Sequence, residues 1–286
     1  MWPLLLVVAC TPADDDPSTP TATVPEPSSP SLTLRDLPLP EVPLLMAHNA
    51  MASANDDYLA PNQILHFEEQ LALGVRGFML DVHDEGEGPE LCHSQCSLGR
   101  APLVDGLARF EAWLSDHPEE VIVFVLQDEV DPPPILDAFA ASGLDAYVMT
   151  PPAAGEAWPS PRALAEAGTR LLVTTERAHA DAPAWYAPAY DHAFDNDYAA
   201  ASIDDFDCEV LRGEAGAPFQ LLNHFLTSPI ALPELAEEAN TFEALMAHVD
   251  ACETAHGQPV SWLAVDFVSI GDGMSVLAEL ESRRTP

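Results

Sequence analysis

Six short apolar runs recur along the chain, at residues 42–47, 77–82, 121–126, 171–174, 219–223 and 262–267. Each is followed by turn residues or by a helical repeat, the pattern of buried strands. The run Val121-Ile122-Val123-Phe124-Val125-Leu126 is apolar at every position, so both of its faces must be covered, as inside a parallel sheet. Helices are predicted between the runs. Residues 62–73 carry Ile64, Leu65, Phe67, Leu71 and Leu73, and residues 104–115 place Leu107, Phe110, Trp113 and Leu114 on one side before His117-Pro118 stops the repeat. Further helical stretches are predicted at 134–141, 160–167, 233–256 and 274–282. Strand and helix alternate over about 240 residues, which predicts an α/β fold with a parallel sheet; a (β/α)8 barrel is its simplest closure.

In such a barrel the chemistry gathers at the C-terminal ends of the strands. His48-Asn49, Asp81-Val82-His83-Asp84, Gln127-Asp128-Glu129, Asn223-His224 and Asp266 all fall there. A shared pocket explains five polar strand ends better than coincidence does. His93 stands between cysteines in Leu91-Cys92-His93-Ser94-Gln95-Cys96. Two imidazoles, His48 and His93, with the Asp81 carboxylate between them in sequence, can supply a general base and a general acid near neutral pH. The plainer reading is a pair of structural histidines.

Composition narrows the partners. The 286 residues carry a net charge of -37 with a pI near 4.1, and all ten basic residues are arginine. Such a surface repels nucleic acid, which is set aside as a partner, and fits a high-salt or divalent-rich exterior. The segment Leu4-Leu5-Leu6-Val7-Val8-Ala9 before Cys10 resembles a bacterial lipoprotein signal, although no positive residue precedes it. Residues 1–10 would be that signal, Cys10 the lipidated anchor, residues 11–37 a Pro/Ser/Thr/Asp-rich disordered linker, and 38–286 the catalytic barrel. The expectation is an exported, monomeric lipoprotein of the bacterial cell envelope, on the outer membrane or cell surface. Four further cysteines allow two disulfides in three pairings; Cys92–Cys96 with Cys208–Cys252 is preferred, because it braces the His93 loop. A zinc site on these cysteines is the less favoured use, since exported thiols oxidise.

The ordered set His48-Asn49, Gln70-Leu71, Gly74-Val75-Arg76-Gly77, Met79-Leu80-Asp81, Leu91-Cys92-His93-Ser94, His117-Pro118-Glu119-Glu120-Val121-Ile122, Leu222-Asn223-His224-Phe225 and Leu263-Ala264-Val265-Asp266-Phe267 resembles the X domain of phosphatidylinositol-specific phospholipase C, nearest the single-domain bacterial and plant type. The resemblance spans most of residues 38–282. It implies a distorted TIM (β/α)8 barrel of the PLC-like phosphodiesterase type, with a phospholipid or other phosphodiester as substrate. His48 would take the proton of an inositol hydroxyl, His93 would protonate the leaving diacylglycerol oxygen, and a cyclic phosphate would form first. Asp81 would orient a histidine or ligate a metal. His83 stands where metal-independent relatives carry an arginine, and Met79 and Gln127 stand where calcium-dependent relatives carry glutamates. Asn49, Asp81 and Asp128 together would hold Ca2+ or Mg2+; His83, Asn223 and His224 would touch the substrate.

Other segments are read more plainly. The acidic stretch 191–207 is expected to be a solvated loop, and Trp185-Tyr186 with Tyr190 either a bilayer-touching loop or one packed on the barrel. Two further readings share the fold: a metal-dependent glycerophosphodiesterase or phospholipase D-like enzyme, and an inactive surface binding module.

Overall fold

The computed structural model describes residues 34–227 and 230–285. The signal ending at Cys10 and residues 11–33 of the expected linker lie outside the described residues. Leu34 and Arg35 are already buried, so the folded body begins ahead of residue 38.

Eight parallel strands make one curled sheet. In chain order they are β1 (Leu44–Ala47), β2 (Gly77–His83), β5 (Ile122–Asp128), β6 (Leu171–Thr175), β7 (Tyr186–Pro188), β8 (Ala193–Asp195), β9 (Phe219–Asn223) and β10 (Trp262–Val265). Their lateral order is β7-β6-β5-β2-β1-β10-β9-β8. Among the described residues β7 and β8 do not pair, so the barrel is open along that seam. Two short antiparallel strands, β3 (Glu90–Leu91) and β4 (Ala101–Pro102), hang from the end of β2. The predicted α/β barrel is therefore present, distorted by the seam and by this added ribbon.

Alternation along each strand sorts the apolar residues into two cores. Met46, Met79, Val125, Leu172, Leu221 and Trp262 meet inside the curl. Phe78, Leu80, Phe124, Leu126 and Val173 face outward, onto Phe110 and Leu107 of α2 (Leu103–Asp116) and Ile135 and Phe139 of α3 (Pro132–Ser142). Gly77 is required inside. It lies opposite Met46, and a Cβ there would stand 2.2 Å from the Met46 Cγ.

The helix predicted over 233–256 is two helices, α5 (Pro233–Ala239) and α6 (Phe242–His256). Thr241 caps α6 by accepting the Ala244 N–H at 3.3 Å, while Asn240 reaches the carbonyls of Asp266 (2.9 Å) and Ile270 (3.3 Å). Of the two readings of Trp185-Tyr186 the packed one holds, since Trp185 packs on Phe139 at 5.3 Å and buried Tyr186 belongs to β7. One expectation is corrected. Asp195, within the stretch read as a solvated acidic loop, is buried in β8 and ion-paired with Arg212.

At the N-terminal end of the strands, buried Arg76 closes the barrel. Its Nε donates to Glu120 at 2.8 Å, and its Nη1 donates to the carbonyls of Leu71 (2.7 Å) and Val75 (2.8 Å). Removing one member of a buried, hydrogen-bonded pair leaves the other charge uncompensated. Arg76→Ala is therefore expected to cost about 3–5 kcal/mol, read as a lowered urea midpoint with an unchanged slope.

Candidate active site

The C-terminal strand ends surround a cleft of about 730 Å³, lined among others by His48, Asn49, Asp81, His83, His93 and Gln127. Below it lies a smaller pocket of about 100 Å³, whose lining adds Glu176 and Arg212 to Asp81 and Gln127. His48 and His93 thus line one cavity.

His48 is held on three sides. Its Nδ1 meets Asp266 Oδ1 at 2.8 Å, its ring stacks on Phe225 at 3.7 Å between centroids, and its carbonyl accepts from Gln63 Nε2 at 2.8 Å. An ionised Asp266 fixes the Nδ1–H tautomer and leaves the Nε2 lone pair free. Asp266 is fixed in turn by Asn62 Nδ2, which donates to the same Oδ1 at 3.0 Å. In the sequence Asp266 is only a strand-end acid. Its pairing with His48 follows from β1 and β10 being neighbours, with Ala47 beside Val265.

His93 is positioned by covalent and hydrogen bonds. The Cys92–Cys96 disulfide flanks it, and Tyr58 Oη donates to the Leu91 carbonyl at 2.7 Å. The second disulfide joins Cys208 and Cys252, so the preferred pairing is the one present. Burial lowers the pKa of His93, with the neighbouring His48 pushing the same way and Asp266 opposing. Among the described residues, four non-glycine residues have left-handed backbone, and three directly follow the groups above: Asn49 (φ 45°), Ser94 (φ 60°) and Phe267 (φ 47°). For a residue as bulky as phenylalanine this is strained, and the strain sits where the site needs a sharp exit from a strand.

Strand register decides the remaining residues. Asp81 lies opposite Gln127, so both face inward, and Asp128 faces out. Asp128 is therefore no metal ligand of this cleft. Its Oδ2 pairs with His179 Nε2 and accepts from Tyr186 Oη at 3.1 Å, while its Oδ1 accepts the Arg177 N–H at 3.3 Å. Asn223 and His224 are likewise corrected, since neither lines the cleft. Asn223 Nδ2 donates to Asp195 (3.2 Å) and to the Asn196 carbonyl (2.9 Å). His224 is buried behind the wall, against His248 at 2.9 Å and the Ala239 carbonyl at 2.9 Å. His83 does line the cleft, and its Nε2 is buried without a partner.

The donor set does not suit Ca2+ or Mg2+. Asn49, Asp81, Gln127 and Glu129 line the cleft together, and they offer two carboxylates and two neutral amides where hard cations take six or more oxygens. Among the described residues Asp81 belongs to no group of three histidine, cysteine or carboxylate ligands within 4.8 Å of one another. The positive charge in the lower pocket is Arg212, a residue that no strand pattern singled out; only the scarcity of basic residues could have drawn attention to it. Its Nε donates to Asp195 at 3.0 Å and its Nη1 to Glu176 at 2.8 Å, and its guanidinium lies over Tyr198 at 4.8 Å.

Comparison with known proteins bears on the family and the fold. A family described as PI-PLC X 1 matches residues 38–281. A PI-PLC X domain-containing protein of Arabidopsis thaliana is 30% identical over 292 residues, covering 94% of this chain and 68% of that protein. Two structures of Staphylococcus aureus phosphatidylinositol-specific phospholipase C share the fold. One is 14% identical with a TM-score of 0.59, covering 86% of this chain and 93% of that one. The other is 13% identical with a TM-score of 0.54, covering 85% and 92%.

Burial raises the pKa of Asp81 from 3.8 to about 7; His48 opposes this, and Glu176 and Glu129 add to it. Folding thus favours the protonated carboxyl, and that contribution is lost as pH climbs from 3.8 through about 7. Asp81→Asn is expected to raise the melting temperature by several degrees at pH 8 and to leave it nearly unchanged at pH 3.5, in paired thermal melts.

Proposed function

Since the chain belongs to the PI-PLC X domain family, we propose that it is a phosphoric diester-cleaving enzyme acting on phosphatidylinositol or a related glycerophospholipid. The observation that carries this reading is the His48–Asp266 pair facing the same cleft as His93. His48 Nε2 takes the proton from a substrate hydroxyl, which attacks phosphorus. The Asp266 carboxylate stabilises the imidazolium that forms. His93, protonated, delivers its proton to the departing alkoxide on the opposite side. The product is a cyclic phosphate diester, open to later hydrolysis with the two imidazoles exchanging roles. No step passes through a metal. The phosphate charge meets the His48 imidazolium, while Arg212, ion-paired with Asp195 and Glu176, lies in the lower pocket.

The rim supports a lipid substrate. Leu98 (37% exposed), Tyr198 (47%) and Ile230 (48%) stand at the mouth of the cleft, and Leu59 (76%), hydrogen-bonded to Leu98, extends the apolar edge. In this reading the mature chain is an exported monomer tethered through lipidated Cys10 to the cell envelope. An inactive binding module is the second reading. It is favoured by the neutralisation of Arg212 between Asp195 and Glu176, which leaves less charge for a phosphate.

Three outcomes separate the readings. His48→Ala and His93→Ala are each expected to lower kcat about 10²–10⁴-fold with unchanged circular dichroism. Phosphorus NMR of the products should show a cyclic inositol phosphate; release of free phosphatidate instead refutes the mechanism, and no turnover on any phospholipid favours the binding module. The acid must be protonated to act, so the depressed pKa of His93 places the alkaline limb of the kcat/KM profile below the ordinary imidazole value of 6.5, and His93→Ala should abolish that limb.

A further inference from the structure

A second cluster lies behind the barrel wall, away from the cleft. Cys208, Cys252 and His248 each place a ligand atom within 4.8 Å of the others. They join the 203–208 segment to α6, and a groove of about 260 Å³ lined by Cys208, His248, Phe206 and Asp204 adjoins them. In the structure the two cysteines form a disulfide. We propose that this cluster is a two-state site, a disulfide when oxidised and a binding site for a thiophilic divalent cation of the zinc type when reduced.

The hydrogen bonds around His248 point to a cation. His248 Nε2 approaches the Asp207 carbonyl at 2.9 Å, His224 Nε2 approaches the Ala239 carbonyl at 2.9 Å, and the two Nδ1 atoms lie 2.9 Å apart. Three contacts of this kind need three protons, and two neutral imidazoles carry two. With both rings neutral, one of the three contacts lacks its proton. A cation on His248 Nε2 completes the arrangement. His248 Nδ1–H then donates to His224 Nδ1, and His224 Nε2–H donates to Ala239, the outer partner that a metal-bound histidine ordinarily has. The Asp207 carbonyl, already 3.7 Å from the Cys252 sulfur, would face positive charge in place of a lone pair.

The chemistry balances. A phosphine or dithiol reductant supplies two electrons, the S–S bond breaks, and two protons from solvent give two thiols. Zn2+ then displaces both thiol protons and forms two Zn–S bonds. Thiolates on one zinc stand about 3.8 Å apart, a separation that rotation about Cβ can provide while the Cα atoms stay 5.1 Å apart. Water entering by the groove takes the fourth position, and the chain's net charge of -37 draws cations towards it.

Cobalt titration of the full chain tests this, because thiolate ligation gives a charge-transfer band and tetrahedral geometry a visible one. The phosphine-reduced protein should bind one Co2+ with both bands, and Zn2+ should displace it; the oxidised protein should show neither. Cys208→Ser/Cys252→Ser, which keeps Cys10, Cys92 and Cys96, should lose the charge-transfer band. His248→Gln and His224→Gln should weaken binding about 10–100-fold, with the fold checked by circular dichroism. Equal bands in the oxidised protein or in the double serine variant overturn the proposal. So does a reduced protein that unfolds with zinc present as it does without.

Discussion

The hydrogen bond between His48 Nδ1 and Asp266 joins residues 218 positions apart. It exists only because the first strand of the barrel lies beside the last, so the base is assembled by closure of the whole chain. Everything around it serves the same geometry. Asn62 steadies the carboxylate, Asn240 holds the Asp266 carbonyl, and Phe225 from the end of β9 carries the imidazole face. A half-barrel containing β1 and β2 alone would have His48 in a loop with no partner for either ring nitrogen.

The strands and their polar ends were legible in the sequence because doubly buried strands must be apolar throughout, and the first break in that run marks where water or a ligand begins. Which member of a polar pair faces the cleft was not legible. Gln127 and Asp128 are neighbours in sequence and opposites in space, and only the register of β5 against β2 decides between them. The same holds at Asn223-His224. Short strands escaped for another reason: β7 and β8 have three residues each, too few for a period, and Tyr186 and Asp195 are polar-bearing residues buried through specific partners. Asp266 was visible as a strand-end acid, but its role depended on which strand stood next door.

Charge is distributed sparingly. With ten arginines against 47 acidic residues, the location of each cation is informative. Arg76 and Arg170 bond carbonyls and acids at the closed end, where they tie loops to strands. Arg212 stands under the cleft between two carboxylates, so its charge is fully offset there, and the outer surface is strongly negative. An anionic ligand therefore approaches against the overall field, which favours recognition by fit over long-range capture.

The left-handed residues after His48, His93 and Asp266 carry an evolutionary consequence. Glycine would relieve the backbone at each of these positions, but at Phe267 it would also empty the space of a fully buried aromatic ring, a loss of about 3–5 kcal/mol. A lineage selected for endurance would therefore be expected to keep the ring and its strained backbone together. Hardiness and turnover would then hold this chain to the same residue beside the carboxylate that steadies the base.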